Sequence, residues 1–356
     1  MRRHQGYAPL TLVLTVQNSA TELPDLLASI GRMRLLPSEV SVTDLGSTDG
    51  TVEVLRAWAA PCGVPVRVIS APGASTSVGR NLAIEAASFE HVAVTHGAVC
   101  LHPEWLARMW DALSEENDVI AGKIQPVGST LLQRTIGRVQ TPAPDEMESA
   151  SMLPSSRSIA FSKSQWDAVG GYPEWLRHGQ DEAFSRALRS AGATFRFVPG
   201  AMLSWNPRQS LVGYVSSCFR VSRAEAEAGF ISNGLAARLA AYLGLAAFLA
   251  CPRSTVLRYA ATAAWIVHAG PYLRRVWRTR AGSPDRLPGR VVTTVAVVAG
   301  ADAGWLAGHP AGLLKSLWHS RSRGHEGHHG DPAGVFSPAA SPAGHPVAGR
   351  HRRVTS

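Results

Sequence analysis

The chain has 356 residues, 45% hydrophobic and 17% charged, which excludes a fibrous or low-complexity protein and leaves room for a sizeable core. Its formal charge of +9 suits an anionic partner: a sugar nucleotide, a phospholipid surface or nucleic acid. Cys62, Cys100, Cys218 and Cys251 lie far apart with no CxxC pair, so neither a disulfide framework nor a zinc site is indicated, and a reducing compartment is the default.

The N-terminal MRRHQGYAPLTLVL has two arginines and only a short apolar run, which reads as a first strand rather than a signal peptide and predicts a protein on the cytoplasmic side. LTLVLTV (10–16) has a buried-strand pattern, ELPDLLASIGRM (22–33) has helical spacing, EVSVTD (39–44) is a strand and GTVEVLRAWA (50–59) a helix. VRVI (66–69), RNLAIEAA (80–87) and HVAVT (91–95) continue the alternation as strand, helix and strand. This predicts an α/β protein whose twisted, mainly parallel sheet carries helices on both faces. Ligands bind such sheets beyond the carboxyl ends of the strands.

Polar residues fall at those ends: Asn18 and Ser19, then Asp44 to Asp49, then Arg80 with Asn81, and His96. In DLGSTDGT (44–51), Gly46 allows a tight turn and Ser47 or Asp49 caps the next helix. Asp44 stands apart, because a turn has no evident need of a carboxylate there while a nucleoside's base or ribose does. Arg80 opens a helix, where backbone N–H groups favour an anion and a guanidinium grips phosphate with two hydrogen bonds.

Four segments, LVLTVQNSATELPDLLASI, VTDLGSTDGTVEVLRAWA, APGASTSVGRNLAIEAA and AVTHGAVCLHPEWL, resemble the nucleotide-binding half of the family 2 glycosyltransferases. LPSSRSIAFSKSQWDAVGGYPEWLRHGQDEAFSRALRSAGATFRFVP resembles their acceptor half. A P-loop is excluded, since GASTSVGRN lacks the GK[ST] ending. The resemblance spans residues 8 to 230 and implies a GT-A nucleotide-diphospho-sugar transferase domain over 8–205, with a nucleotide-sugar half (8–115) and an acceptor half (116–205).

In that family a divalent cation, Mn2+ or Mg2+, held by an Asp-x-Asp motif bridges the diphosphate of the donor, a nucleoside-diphosphate sugar. A second carboxylate deprotonates the acceptor hydroxyl, and a single displacement inverts the anomeric carbon. The resemblance assigns Asn18, Asp44, Arg80, Asn81 and His96 to the donor and makes Asp181 the catalytic base. Two departures stand out. His96 and Ala98 occupy the Asp positions of the metal motif, so His96 is left either as a lone metal ligand or, protonated, as a cation facing the diphosphate. Gln180 replaces the glutamate before Asp181, and Glu182 follows it.

Trp175 is read either as a sugar-stacking residue or as a core or lid anchor, and Trp205 with Arg208 resembles the same stretch in relatives. Arg220 and Arg223, three apart, form one basic helix face near the phosphates or a solvated one. Residues 206–318 read as a helical, membrane-interacting region containing the apolar runs 239–251, 259–273 and 291–314. Arg258, Arg274, Arg275 and Arg278 would face anionic headgroups, and spanning helices stay open for the first and third runs. Residues 319–356, rich in Gly, Pro, Ser, His and Arg, are expected to lack a core, and His325, His328 and His329 read as solvated rather than metal-binding.

Two functions remain open from the sequence. One is an inverting transferase acting on a cell-envelope or lipid-linked glycan acceptor at the cytoplasmic face of the membrane, peripherally or with one or two embedded helices. The other is a catalytically degenerate module that binds a nucleotide, a glycan or a partner enzyme. No nucleic acid is expected.

Overall fold

The structure is a computed structural model that describes residues 6–60, 63–113, 118–142, 144–147, 153–227, 229, 234–251, 253–278 and 287–323. Cys62 and residues 324–356, with His325, His328 and His329 among them, lie outside the described residues. The chain divides into two units, Met1–Ser316 and Leu317–Ser356, with the last residues of the final helix in the second.

The chain opens with β1 (Gly6–Val16), α1 (Leu23–Gly31), β2 (Leu35–Asp44), α2 (Thr51–Ala59), β3 (Val66–Ser70), α3 (Thr76–Glu85) and β4 (His91–Val94). The expected alternation is therefore present, with α3 beginning at Thr76 rather than Arg80 because Ser75 caps it, accepting from the Val78 N–H at 3.3 Å. There follow β5 (Val99–Leu101), α4 (Trp105–Leu113), β6 (Val119–Pro126), α5 (Leu131–Gln140), α6 (Pro144–Met147), β7 (Ile159–Ser162), α7 (Lys163–Ala168), α8 (Gln180–Ser190) and β8 (Phe195–Trp205). All eight strands form one sheet in the order β3-β2-β1-β4-β7-β6-β8-β5. The pairings β3–β2, β2–β1, β1–β4 and β6–β8 are parallel, while β7 is antiparallel to both β4 and β6, and β5 to β8.

The continuous apolar run of β1 suits a central strand covered on both faces. Leu10, Leu12 and Leu14 enter one core with Leu23, Ile30 and Trp105. The alternate residue Val13 enters the other, with Ile84, Phe161, Tyr172 and Phe184. In that second core the Tyr172 and Phe184 rings stack at 4.0 Å between centroids, which fixes α8 against the sheet and with it the residues at its N-terminus.

Four long helices complete the unit: α9 (Leu211–Glu227), α10 (Leu235–Ala250), α11 (Thr255–Arg278) and α12 (Leu287–Arg323). Helix α12 lies directly on α9. A Cβ added to Gly304, Gly308 or Gly312 would stand 2.6, 2.4 or 2.2 Å from the carbonyl oxygen of Val215, Phe219 or Arg223. Contacts advance four residues at a time on both helices, so the two run side by side in the same direction, backbone against backbone. Tyr214, Cys218, Val297, Val298 and Ala301 pack there against Ile136 and Val139 of α5, which joins these helices to the sheet domain.

The arginines of α11 depart from expectation. Arg275 donates to Glu146 and to the Val139 carbonyl at 2.7 Å and is held by α5 and α6 rather than presented to headgroups, while Arg274 pairs with Glu146 at 3.7 Å with half of its side chain exposed. Within α12, Pro288–Ser316 is long and apolar enough to cross a bilayer.

Candidate active site

The antiparallel pairing of β4 with β7 creates the centre of the site. Val94 pairs with Ile159, so two residues further out on each strand His96 and Arg157 meet, secured by Thr95 Oγ1 donating to the Arg157 carbonyl at 2.8 Å. Arg157 Nε donates to His96 Nε2 at 2.9 Å, and its guanidinium lies 4.6 Å from the Trp205 ring centroid. From α3, Arg80 reaches across to donate to Asp181 Oδ1 at 2.6 Å. Asp181 Oδ2 accepts from Ser155 Oγ at 3.1 Å and from the Ser156 N–H at 3.0 Å. Helix α8 presents Asp181 in its first turn, after Gly179 at φ 76°, a left-handed conformation that glycine adopts without strain.

Electrostatics follow from this geometry. Burial opposes ionisation of Asp181, yet the guanidiniums of Arg80 and Arg157 and the Ser156 N–H hold its carboxyl well below the ordinary carboxylate range. Burial, with Arg157 and Arg80 close by, pushes His96 down to about 3. His96 is therefore neutral, and its Nε2 lone pair is taken by Arg157. Protonated His96 facing a diphosphate is thus corrected: the cation at that position is Arg157. Arg80 keeps only 6% of its side-chain surface exposed, while Asp181 keeps 32%, so the carboxylate can be reached from outside and the guanidinium behind it cannot.

The other expected donor residues serve the loops. Asn81 accepts from the Tyr172 N–H at 2.8 Å and Trp166 Nε1 at 3.0 Å, and donates to the Tyr172 carbonyl and Glu174, both at 2.9 Å. Its amide is fully committed to holding the 171–174 loop, which corrects its assignment as a donor ligand. Gly171 is required beside it, since a Cβ there would lie 2.9 Å from Asn81 Oδ1 at a φ of 76°. Asp44 accepts from Ser47 Oγ at 2.5 Å and from the Gly46 N–H at 3.2 Å, so the turn does use its carboxylate, contrary to expectation. Asn18, at φ 46°, accepts the Thr48 N–H on its side-chain Oδ1 at 2.9 Å and staples the two loops at the strand ends.

On the acceptor side, Gln180 and Glu182 flank Asp181, but Glu182 is engaged by Arg186 at 3.1 Å. Trp175 is 60% exposed, which excludes the core role considered for it. Burial, with Arg220 and Arg177 close by, lowers the affinity of His178 for a proton. Arg223 pairs with Glu227 at 2.8 Å, and Glu227 with Lys315 at 2.9 Å, so Arg223 belongs to the α9–α12 contact and not to the phosphates. Sequence reading missed Arg157, Ser155 and Ser156. The signal was present in SSRSIAFS, a lone arginine opening an otherwise apolar strand.

The donor set does not make a metal centre. Ala98 has no ligand atom, the His96 lone pair is occupied, and among the described residues no group of three His, Cys, Asp or Glu is placed to hold an ion.

Comparison with known proteins agrees with the fold and the motifs. Residues 11–156 match the family described as Glycosyl transferase family 2. Glycosyltransferase AglE of Haloferax volcanii is 22% identical over 222 residues, covering 61% of this chain and 72% of AglE. Among solved structures, the mannosyltransferase PcManGT of Pyrobaculum calidifontis, in complex with GDP-Man and Mn2+, superposes at a TM-score of 0.52 with 17% identity and 87% of each chain covered. TarS 1–349 of S. aureus covers 88% of this chain and 91% of its own at 15% identity and a TM-score of 0.47. The sheet and the ordered loop motifs agree with these likenesses: the chain has the GT-A fold, and its segment 11–156 is similar to glycosyl transferase family 2.

Proposed function

We propose that the protein is a family 2 glycosyltransferase that moves a glycosyl group, with inversion, from a nucleoside-diphosphate sugar to a hydroxyl of a lipid-linked or cell-envelope acceptor, with Asp181 as the base. The observation that carries the reading is the meeting of Arg80, Arg157 and Asp181 beyond the carboxyl ends of β1 and β4. The acceptor oxygen gives its proton to Asp181 and attacks the anomeric carbon. The bond from that carbon to the diphosphate breaks, and its electron pair leaves on the phosphate oxygen.

As it stands, Arg80 and Arg157 stabilise the charge of Asp181 and make it a weaker base than an ordinary carboxylate. A donor diphosphate offers Arg80 a second anion, and sharing the guanidinium weakens its hold on the carboxylate. Donor binding therefore prepares the base. On the acceptor side, a cavity of about 310 Å3 runs from Arg157 to Tyr214, Tyr272, Trp305 and Arg238, combining aromatic faces with hydrogen-bonding groups as sugar recognition requires.

A membrane location is supported by the exposed apolar side chains Leu239, Leu243 and Leu249 of α10, Ile266 and Val267 of α11, and Val292 and Leu314 of α12. The test is a thermal-shift panel of UDP-, GDP- and dTDP-sugars on the full chain, followed by a transfer assay to membrane lipid extracts. Stabilisation by one nucleotide family and product from it are expected. The reading fails if no donor stabilises the protein. A second reading, a non-catalytic sugar-nucleotide binder, is favoured by the full engagement of both Asp181 oxygens, and it predicts stabilisation without product.

A further inference from the structure

We propose that Arg157, positioned by His96 and acting with Arg80, binds the donor's diphosphate in place of a metal ion, so that the transfer runs without a divalent cation. This rests on the reading of the site as a glycosyl-donor site.

Charge makes the first argument. Two guanidiniums face a single carboxylate, since Arg80 is bonded to Asp181 while Arg157 makes its side-chain hydrogen bond to a neutral imidazole. Arg208 adds a third positive charge in the field of Arg157. The centre thus has an excess of positive charge in a poorly solvated place. That is costly for the empty protein and complementary to a diphosphate. The family's ion would supply the same positive charge.

Geometry makes the second argument. His96 takes Nε of Arg157, and Trp205 stacks on the guanidinium face, which leaves the edge carrying both Nη atoms with no hydrogen-bond partner among the described residues. That edge matches two phosphate oxygens. The Nε of Arg80 is likewise buried with no partner among the described residues. One side chain at the family's first metal-ligand position has become a clamp on a cation. The other, Ala98, leaves space without a ligand atom.

The experiment is titration calorimetry of UDP, GDP, dTDP and pyrophosphate into the full chain, with EDTA and with Mn2+, alongside transfer assays under both conditions. Binding of one nucleotide with the same affinity in EDTA and in Mn2+ is expected, weakened at least tenfold in Arg157→Gln and less in Arg157→Lys. Calorimetric binding that requires Mn2+, or failure of all four probes to bind, overturns the proposal. Should Arg157→Gln not fold, the double variant His96→Asp/Ala98→Asp serves instead, because it removes the clamp and restores carboxylates. It is expected to bind nucleotide only with Mn2+, and unchanged metal-free binding by it overturns the role of His96. Metal-free binding with no transfer in either condition leaves the diphosphate clamp standing and sinks the catalytic reading on which metal-free transfer depends. Transfer abolished by EDTA does the reverse.

Discussion

Asp302 and Asp181 are both paired with arginine, and they are arranged for different ends. Asp302 of α12 is 2% exposed, accepts from Arg238 Nε at 3.0 Å on one oxygen, and on the other meets His268 Nε2 at 2.7 Å and Tyr242 Oη at 3.1 Å. One guanidinium meets one carboxylate, each oxygen is bonded, and the cluster ties α10, α11 and α12 together. At Asp181 a second guanidinium stands by, and a third of the carboxylate side chain is open. A balanced, closed cluster holds helices in place, whereas an unbalanced, open one awaits an anion.

The largest effects come from breaking the closed cluster. Asp302→Ala leaves the Arg238 cation buried without its carboxylate and is expected to cost about 3–5 kcal/mol, read by denaturant unfolding. Gly308→Leu should be comparably damaging, since no side chain fits where a Cβ already lies 2.4 Å from a backbone oxygen. At the open centre the expected effect is on rate instead. Asp181→Asn should lower kcat by about 10^2- to 10^4-fold while nucleotide affinity, measured by calorimetry, is retained or improved, because the guanidiniums are released. If Asp181→Asn unfolds the protein as Asp302→Ala does, the contrast between the two clusters is wrong.

The same contrast explains what the sequence disclosed. Strand β1 was legible because a buried parallel strand reads as a continuous apolar run, β2 to β4 because short apolar-rich segments alternate with helix-like ones, and the loops because Gly, Ser, Asp and Asn punctuate them. Asp181 and Arg80 stood out through the motifs around them. Arg157 did not, because its partner His96 is 61 residues away and only the antiparallel register of β4 and β7 brings them together. Asn81 was misread for the opposite reason: a polar residue near strand ends looks like a ligand until its four hydrogen bonds to the 166–174 segment are seen. The glycines at 304, 308 and 312 read as mere small residues, since their meaning lies in the α9 backbone they touch.

A smaller effect separates the clusters by pH. Folded His96 titrates at about 3 and the unfolded imidazole at 6.5, so between these values the unfolded chain binds a proton that the native state refuses. Stability from this group is complete above about pH 6.5, is lost progressively as pH falls through that window, and is gone below about 3. Asp181 acts with the same sign, but only as pH falls below its ordinary value of 3.8. Denaturation midpoints of His96→Asn against pH should therefore show a flatter slope between 3 and 6.5, and an unchanged slope would mean that His96 is not held neutral.

The smallest expected effect tests the border between the two regions. Arg223 was a candidate for the phosphate side, yet it forms an i,i+4 pair with Glu227 and is 41% exposed on its side chain. Such a pair is worth about 0.3–0.5 kcal/mol in water, so Arg223→Ala should leave the unfolding midpoint almost where it was. Nucleotide binding should not change either, because the guanidinium is aimed along α9 at Glu227, which Lys315 of α12 also holds. Arg220, three residues earlier, is near enough to His178, in the segment that leads into Asp181, for its charge to be felt there, and its alanine variant should raise the acceptor KM without altering nucleotide affinity. Calorimetry and initial rates on the two variants decide whether positive charge on α9 is divided between helix packing and acceptor binding, or whether both arginines belong to the helix contact alone.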